Sequence, residues 1–179
     1  KDKLMVKEFA HPNDLSVSMF VDIDTGNYKE EDKLIASDIV LESALSIAHY
    51  FVNNNITCKI MMNDMDMTDR TVADKKDFEG YYDFMSILNM DQWLSFEDIM
   101  RNYYTRYFAS RDAIIVSGRL SEDLMDLIVE LKMAGINVVL ITPVLGSPEE
   151  KRKTLTSISI LRDKKITVFD LSSADDIGS

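Results

Sequence analysis

Leu15 to Gly26, LSVSMFVDIDTG, is the stretch whose reading decides the fold. Alternation puts Leu15, Val17, Met19 and Val21 on one face of a strand. Phe20 on the other face makes it a strand buried on both sides. Such a strand belongs inside an α/β sheet, where ligands are held beyond the carboxyl ends of the strands. At that end stand Asp22 and Asp24, spaced i and i+2 and therefore on one side of an extended backbone. Two carboxylates so placed suit a hard cation such as Mg²⁺, or a phosphoryl-transfer pair. A purely local use is the alternative: Asp22 caps amides of the following loop, and Asp24 starts the turn at Thr25-Gly26.

Outward from this strand, the pattern alternates. A largely covered helix is expected over 31–53, closed by the run Asn53-Asn54-Asn55, and a second core strand over 56–62. Residues 63–77 hold turn residues and alternating charge, with a short edge hairpin around Thr71 to Ala73. Helical patterns follow over 78–88 and 96–108, the latter with Ser95 and Asp98 as a capping pair. AIIVS (113–117) is a short buried strand ending at Gly118. Ser121 caps a helix over 122–134 that Gly135 terminates. INVVLIT (136–142) is the next strand, Ser147-Pro148-Glu149-Glu150 opens another helix, and ITVFD (166–170) is the last strand. Strands alternating with helices imply a mainly parallel sheet with helices on both faces. The expected division is a leading segment over 1–14, one α/β domain over 15–172 and a fraying tail over 173–179.

The bulk numbers agree with this class. A hydrophobic fraction of 46% and a charged fraction of 28% are those of an ordinary globular protein. A net charge of −11 repels nucleic-acid phosphates, and the only basic triplet, Lys151 to Lys153, follows two glutamates. Cys58 is the single cysteine, so no internal disulfide forms and a reducing compartment is expected. It sits in a strand pattern, which reads as a buried structural thiol. No apolar run approaches the roughly 20 residues that span a bilayer. An opening of Lys1-Asp2-Lys3 reads as part of something longer.

Leu4 to Phe9 (LMVKEF), Asp14 and the strand ending in Asp22 are similar to the bacterial domain of unknown function 58 family. The likeness takes in the long helix and the AIIVS and INVVLIT strands. It implies a three-layer, Rossmann-like domain of von Willebrand factor A type, acting as a non-enzymatic protein-interaction module with a metal-ion-dependent adhesion site at the top of the sheet. It implies Mg²⁺ as the ion and a MoxR-type AAA+ ATPase as the protein partner. The place it implies is cytoplasmic, as the cytoplasmic portion of a membrane-anchored protein. The family motif is Asp-x-Ser-x-Ser. Asp22 matches its leading aspartate, while Asp24 and Gly26 stand where the serines belong. Gly118 follows Ser117 where a further aspartate is expected, and Thr68 and Thr71 are the candidates for the motif threonine. The site is therefore degenerate, with Asp22, Asp24, Thr25, Gly26, Ser117, Gly118 and Arg119 as the partner-binding crevice.

Other readings compete. Arg119, just past the AIIVS strand, can pair with Asp22 or Asp24 and hold the cation position permanently. A DxD strand end followed by Ser117-Gly118-Arg119 also resembles haloacid dehalogenase-type phosphatases. In that reading Asp22 is the nucleophile, Asp24 the general acid and base, Ser117 the phosphate ligand, and Asp175 and Asp176 the late acidic pair. Met61, Met62, Met65 and Met67 suggest Cu(I) or simple core filling. His11 and His49 lack the neighbours a zinc site needs. Trp93, Phe96, Tyr103, Tyr104 and Tyr107 are either an exposed patch or core at helical spacing.

Overall fold

In a computed structural model the structure describes residues 16–92, 94–106 and 110–171. The element order is β1 (Ser16–Asp22), α1 (Glu30–Asn53), β2 (Thr57–Met62), β3 (Asp69–Val72), α2 (Lys75–Ser86) and α3 (Phe96–Arg106), then β4 (Asp112–Ser117), α4 (Glu122–Met133), β5 (Asn137–Pro143), α5 (Pro148–Asp163) and β6 (Thr167–Leu171). Six strands form one sheet in the order β3-β2-β1-β4-β5-β6. Every pairing is parallel except β2 with β3 at the edge. The chain leaves β1 to one side and β4 to the other, so the carboxyl ends of these two central strands frame the switch-point crevice.

β1 is buried on both faces, as its sequence requires. Met19 and Val21 face α1 and α2, and join Val40, Ala44, Ile60 and Tyr81 in one core. Phe20 faces the opposite layer, among Phe96 and Met100 of α3, Leu124 and Leu127 of α4, and Ile158 of α5. Its ring meets Tyr103 edge-on at 5.1 Å and Tyr104 at 5.6 Å. The aromatic residues at helical spacing are thus core where the structure describes them. Cys58 is fully buried, and burial pushes its thiol up to about 12. A neutral thiol there is a packing group.

The helix ends follow local chemistry. Asn55 takes a left-handed conformation (φ 56°) directly after α1, as a residue with a short polar side chain tolerates. Ser121 and Ser147 accept amide hydrogen bonds at the starts of α4 and α5, and Glu150 completes the capping box of α5. Ser95 likewise accepts from Asp98 N at 3.1 Å at the start of α3.

Several sequence expectations need amendment. The edge hairpin lies over Asp69–Val72, because Thr71 pairs with Lys59 and Val72 with Cys58. The helix expected from Phe78 starts at Lys75, where Asp74 caps it. α1 is, by length and composition, long and apolar enough to cross a membrane. Yet Ala36, Ile39, Val40, Ser43, Ala44 and Ala48 bury one of its faces, so here it serves as a core helix. Met61 and Met62 point to opposite faces of the sheet and Met65 and Met67 are exposed, so the four thioethers do not converge. His49 packs beside Phe78 on an exposed face. Leu4 to Phe9, His11, Trp93, Tyr107, Asp175 and Asp176 lie outside the described residues.

Truncating Phe20 should test the central packing directly. Phe20→Ala is expected to cost about 3–5 kcal/mol in urea unfolding. A loss below about 1 kcal/mol would mean that β1 is not the strand on which both layers pack.

Candidate functional site

β1 and β4 run parallel with Asp22 beside Ser117, so both chains leave the sheet at the same level. Asp22 is fully buried. Its Oδ1 accepts from the backbone N–H of Asp24 at 3.0 Å and from the Asn63 amide at 2.9 Å. Its Oδ2 lies 2.8 Å from the Ser117 hydroxyl and 3.3 Å from Arg119 Nε. Asp24 repeats the division of labour. Its Oδ1 accepts from Gly26 N–H at 2.7 Å, and its Oδ2 lies 3.1 Å from the same Arg119 Nε. The left-handed φ of 63° at Gly26 lets the loop close that tightly. The turn reading and the ion-pair reading are therefore both realised, one on each oxygen.

Arg119 is the centre of the arrangement. Its Nε–H points along a hydrogen-bond direction to neither aspartate, so those contacts are ionic. The two Nη atoms instead face Glu97 end-on, Nη1 at 3.1 Å from Oε1 and Nη2 donating to Oε2 at 3.3 Å. Glu97 stands in the first turn of α3 and also accepts from the Ser121 hydroxyl at 3.1 Å. That hydroxyl accepts from Leu124 N–H as the cap of α4. One guanidinium thus links the ends of β1 and β4 to the starts of α3 and α4.

Three carboxylates around one cation leave an excess of negative charge, and burial decides who carries the cost. Desolvation raises Asp22 to about 6, against the pull of Arg119 and the Ser117 and Asp24 hydrogen bonds. Burial also pushes Glu97 up, but the hydrogen bonds and charge of Arg119 outweigh it and hold Glu97 below the usual carboxylate range. Arg119 is pushed down by desolvation and more strongly up by Asp22 and Glu97, so it stays charged.

The crevice residues separate by depth. Asp22, Ser117 and Gly118 form its buried floor. An added Cβ at Gly118 would meet the Ala36 Cβ at 3.4 Å and the Asp24 carbonyl at 3.6 Å, the near edge of ordinary contact. Thr25, Gly26 and Arg119 are accessible, and with Tyr28, Lys153 and Ser157 they line a cavity of about 390 Å³. Thr68 is not part of the site, because its hydroxyl and amide both bond to Asp64 at 2.8 Å. Thr71 lies on the exposed edge strand.

Sequence reasoning missed Asn63 and Glu97. Asn63 had a signal, as the first residue past β2 beside β1: its Oδ1 also accepts from Ile23 N–H at 2.8 Å. Glu97 had none beyond its place near a helix start, where an acidic residue is ordinary.

No family profile and no curated protein match the chain. Among solved structures it is similar to the SpRpn10 VWA domain, with a TM-score of 0.54 and 12% identity over 91% of this chain and 93% of that one. It is also similar to proximal thread matrix protein 1 from the mussel byssus, with a TM-score of 0.48 and 11% identity over 90% of this chain and 44% of that one. The second likeness is too low to argue from. The first is a likeness of fold: the chain has a three-layer, Rossmann-like α/β fold of von Willebrand factor A type. These comparisons do not support membership of the domain of unknown function 58 family.

The raised Asp22 value has a definite sign. Between pH 4 and 6 the folded state binds more protons than the unfolded chain, so this group's contribution falls as pH rises through the folded value. Asp22→Asn removes that contribution while leaving the opposite one of Glu97 in place. The stability difference between wild type and Asp22→Asn should therefore shift against wild type by up to about 2.4 kcal/mol from pH 4 to 7. Parallel stability–pH curves would contradict it.

Proposed function

We propose that the chain is a non-enzymatic protein-interaction domain of von Willebrand factor A type, with a degenerate adhesion site whose cation is supplied by Arg119. The partner would meet the crevice edge at Thr25, Gly26 and Arg119, above the buried Asp22 and Ser117. The observation that supports this reading is the guanidinium held at 3.1 and 3.3 Å from the two aspartates. Residues here do not fit Mg²⁺, which demands about six oxygens in near-octahedral geometry. Gly26 and Gly118 bring no side-chain oxygen, and the facing oxygens of Asp22 and Asp24 are turned to Arg119. On the resemblance in the LMVKEF segment, the partner is a MoxR-type AAA+ ATPase in a bacterial cytoplasm.

A phosphatase reading is the alternative, and the geometry of Asp22 weighs against it. A nucleophilic carboxylate must reach phosphorus, yet Asp22 is fully buried with hydrogen-bond partners on both oxygens. Ser117 is occupied with Asp22 and with the Arg119 carbonyl at 2.7 Å.

Thermal melts with millimolar Mg²⁺ or Mn²⁺ separate these readings. Wild type is expected not to move, while Arg119→Ala melts lower and gains stability from either ion, because the aspartates are freed. A clear metal-dependent rise in wild type would overturn the built-in cation. Magnesium-dependent turnover of p-nitrophenyl phosphate that Asp22→Asn abolishes would overturn the non-enzymatic reading.

A further inference from the structure

Ser117 has one hydroxyl proton and two places to put it. Its Oγ lies 2.8 Å from Asp22 Oδ2 and 2.7 Å from the carbonyl oxygen of Arg119. It also accepts from the Arg119 amide at 3.3 Å. Both acceptors stand at ordinary O–H···O distance, so rotation about the Cβ–Oγ bond carries the proton from one to the other without moving a heavy atom. Ser117 and Asp22 are fully buried side by side in the β1–β4 register.

The two oxygens of Asp22 are not equivalent. Oδ1 takes two N–H donors, from the Asp24 backbone and the Asn63 amide. Asn63 cannot turn its own oxygen there, because that oxygen accepts from Ile23 N–H at 2.8 Å. A proton on Oδ1 would therefore meet only donors. Oδ2 faces the Ser117 hydroxyl and Arg119 Nε. A proton taken up by Asp22 belongs on Oδ2, where Ser117 Oγ accepts it once its own proton has turned to the Arg119 carbonyl. The hydrogen bond between Asp22 and Ser117 is kept, with its direction reversed.

The surrounding charges favour that uptake. Asp24 in the loop and Arg119 past β4 face Asp22, and Glu97 of α3 lies beyond the guanidinium. Asn63 at the end of β2 is neutral, and Asp64 next to it is turned to Thr68. Three carboxylates around one guanidinium leave two excess negative charges, and Asp22 is the most deeply buried of the three. Burial pushes it up to about 6, while Arg119 holds Glu97 low.

We infer that Asp22, Ser117 and Arg119 form a proton-linked switch beneath the crevice edge. Proton uptake by Asp22 reverses its hydrogen bond with Ser117 and removes one of the two aspartates that pair with Arg119 Nε. Asp24 and Glu97 then hold the guanidinium alone, and the excess falls from two negative charges to one. Ser117 is the positioning residue, since it satisfies Asp22 in both states. The effect on binding rests on the reading of this edge as the partner surface, whereas the switch itself belongs to the free chain.

An NMR titration of the full chain between about pH 4.5 and 7.5 tests the switch without a partner. The Asp22 carboxyl carbon should titrate with a midpoint between about pH 5 and 7, and the Arg119 Nε–H resonance should move with the same midpoint. In Asp22→Asn the Arg119 resonance should stay flat over that range. Ser117→Ala removes both the donor to the carboxylate and the acceptor for the neutral acid. The bond to the charged form is the stronger, so the midpoint should rise, by roughly half a pH unit. A packing role for Ser117 alone would lower the melting temperature and leave the midpoint in place. An Asp22 carbon that stays flat from pH 5 to 7, an Arg119 resonance that ignores the Asp22 midpoint, or an unmoved midpoint in Ser117→Ala would each overturn the switch. If Ser117→Ala does not fold, the first two readings, made on wild type, decide. A partner that binds elsewhere leaves all three readings as they are, so the switch and the interaction surface fail separately.

Discussion

The Arg119 guanidinium, set among Asp22, Asp24 and Glu97, is the contact on which the top of this molecule depends. It touches Asp22 and Asp24 at the end of β1 and Glu97 at the start of α3, and Glu97 carries the link on to Ser121 at the start of α4. Removing a buried partner of this kind is costly because the charge left behind stays desolvated, by about 3–5 kcal/mol in comparable pairs. Asp22 would be that charge. Its position is fixed beforehand by Asn63, Ser117 and the Asp24 amide, so the carboxylate has no route to water when the cation goes.

A guanidinium and a divalent ion solve the same electrostatic problem with different geometry. A magnesium site collects many oxygens at short range around a small sphere. A planar fork needs few partners, each in a set direction, and takes them from wherever the fold provides. Here two aspartates approach Nε from the side while Glu97 closes both Nη atoms end-on. The cation position beside the two aspartates is therefore filled by a side chain whose nitrogens face carboxylates. The accessible rim of the crevice is the loop at Thr25-Gly26 and the edge of Arg119.

Much of this was legible in the chain. Phe20 between Met19 and Val21 announces a strand buried on both faces, and the Ser147-Pro148 start of α5 announces its own cap. Arg119, two residues past the end of AIIVS, could be paired with Asp22 and Asp24 from strand adjacency alone. Glu97 could not, because α3 lies between β3 and β4 in the chain and only its packing on the layer that holds α4 and α5 brings its first turn to the crevice. Asp22's raised value was equally invisible, since it comes from burial rather than from neighbours in sequence. INVVLIT and ITVFD read as strands without a statement of depth, and the exposure of Phe169 on the last of them was not legible.

A double-mutant cycle between Asp22 and Arg119, using Asp22→Asn and Arg119→Met at pH 7, tests the central claim most directly. The account predicts a favourable coupling of about 2 kcal/mol or more from urea unfolding, with Arg119→Met alone costing the most of the three variants. A coupling below about 0.5 kcal/mol, within the scatter expected of independent sites, would show that Arg119 is not the cation that holds the strand ends together.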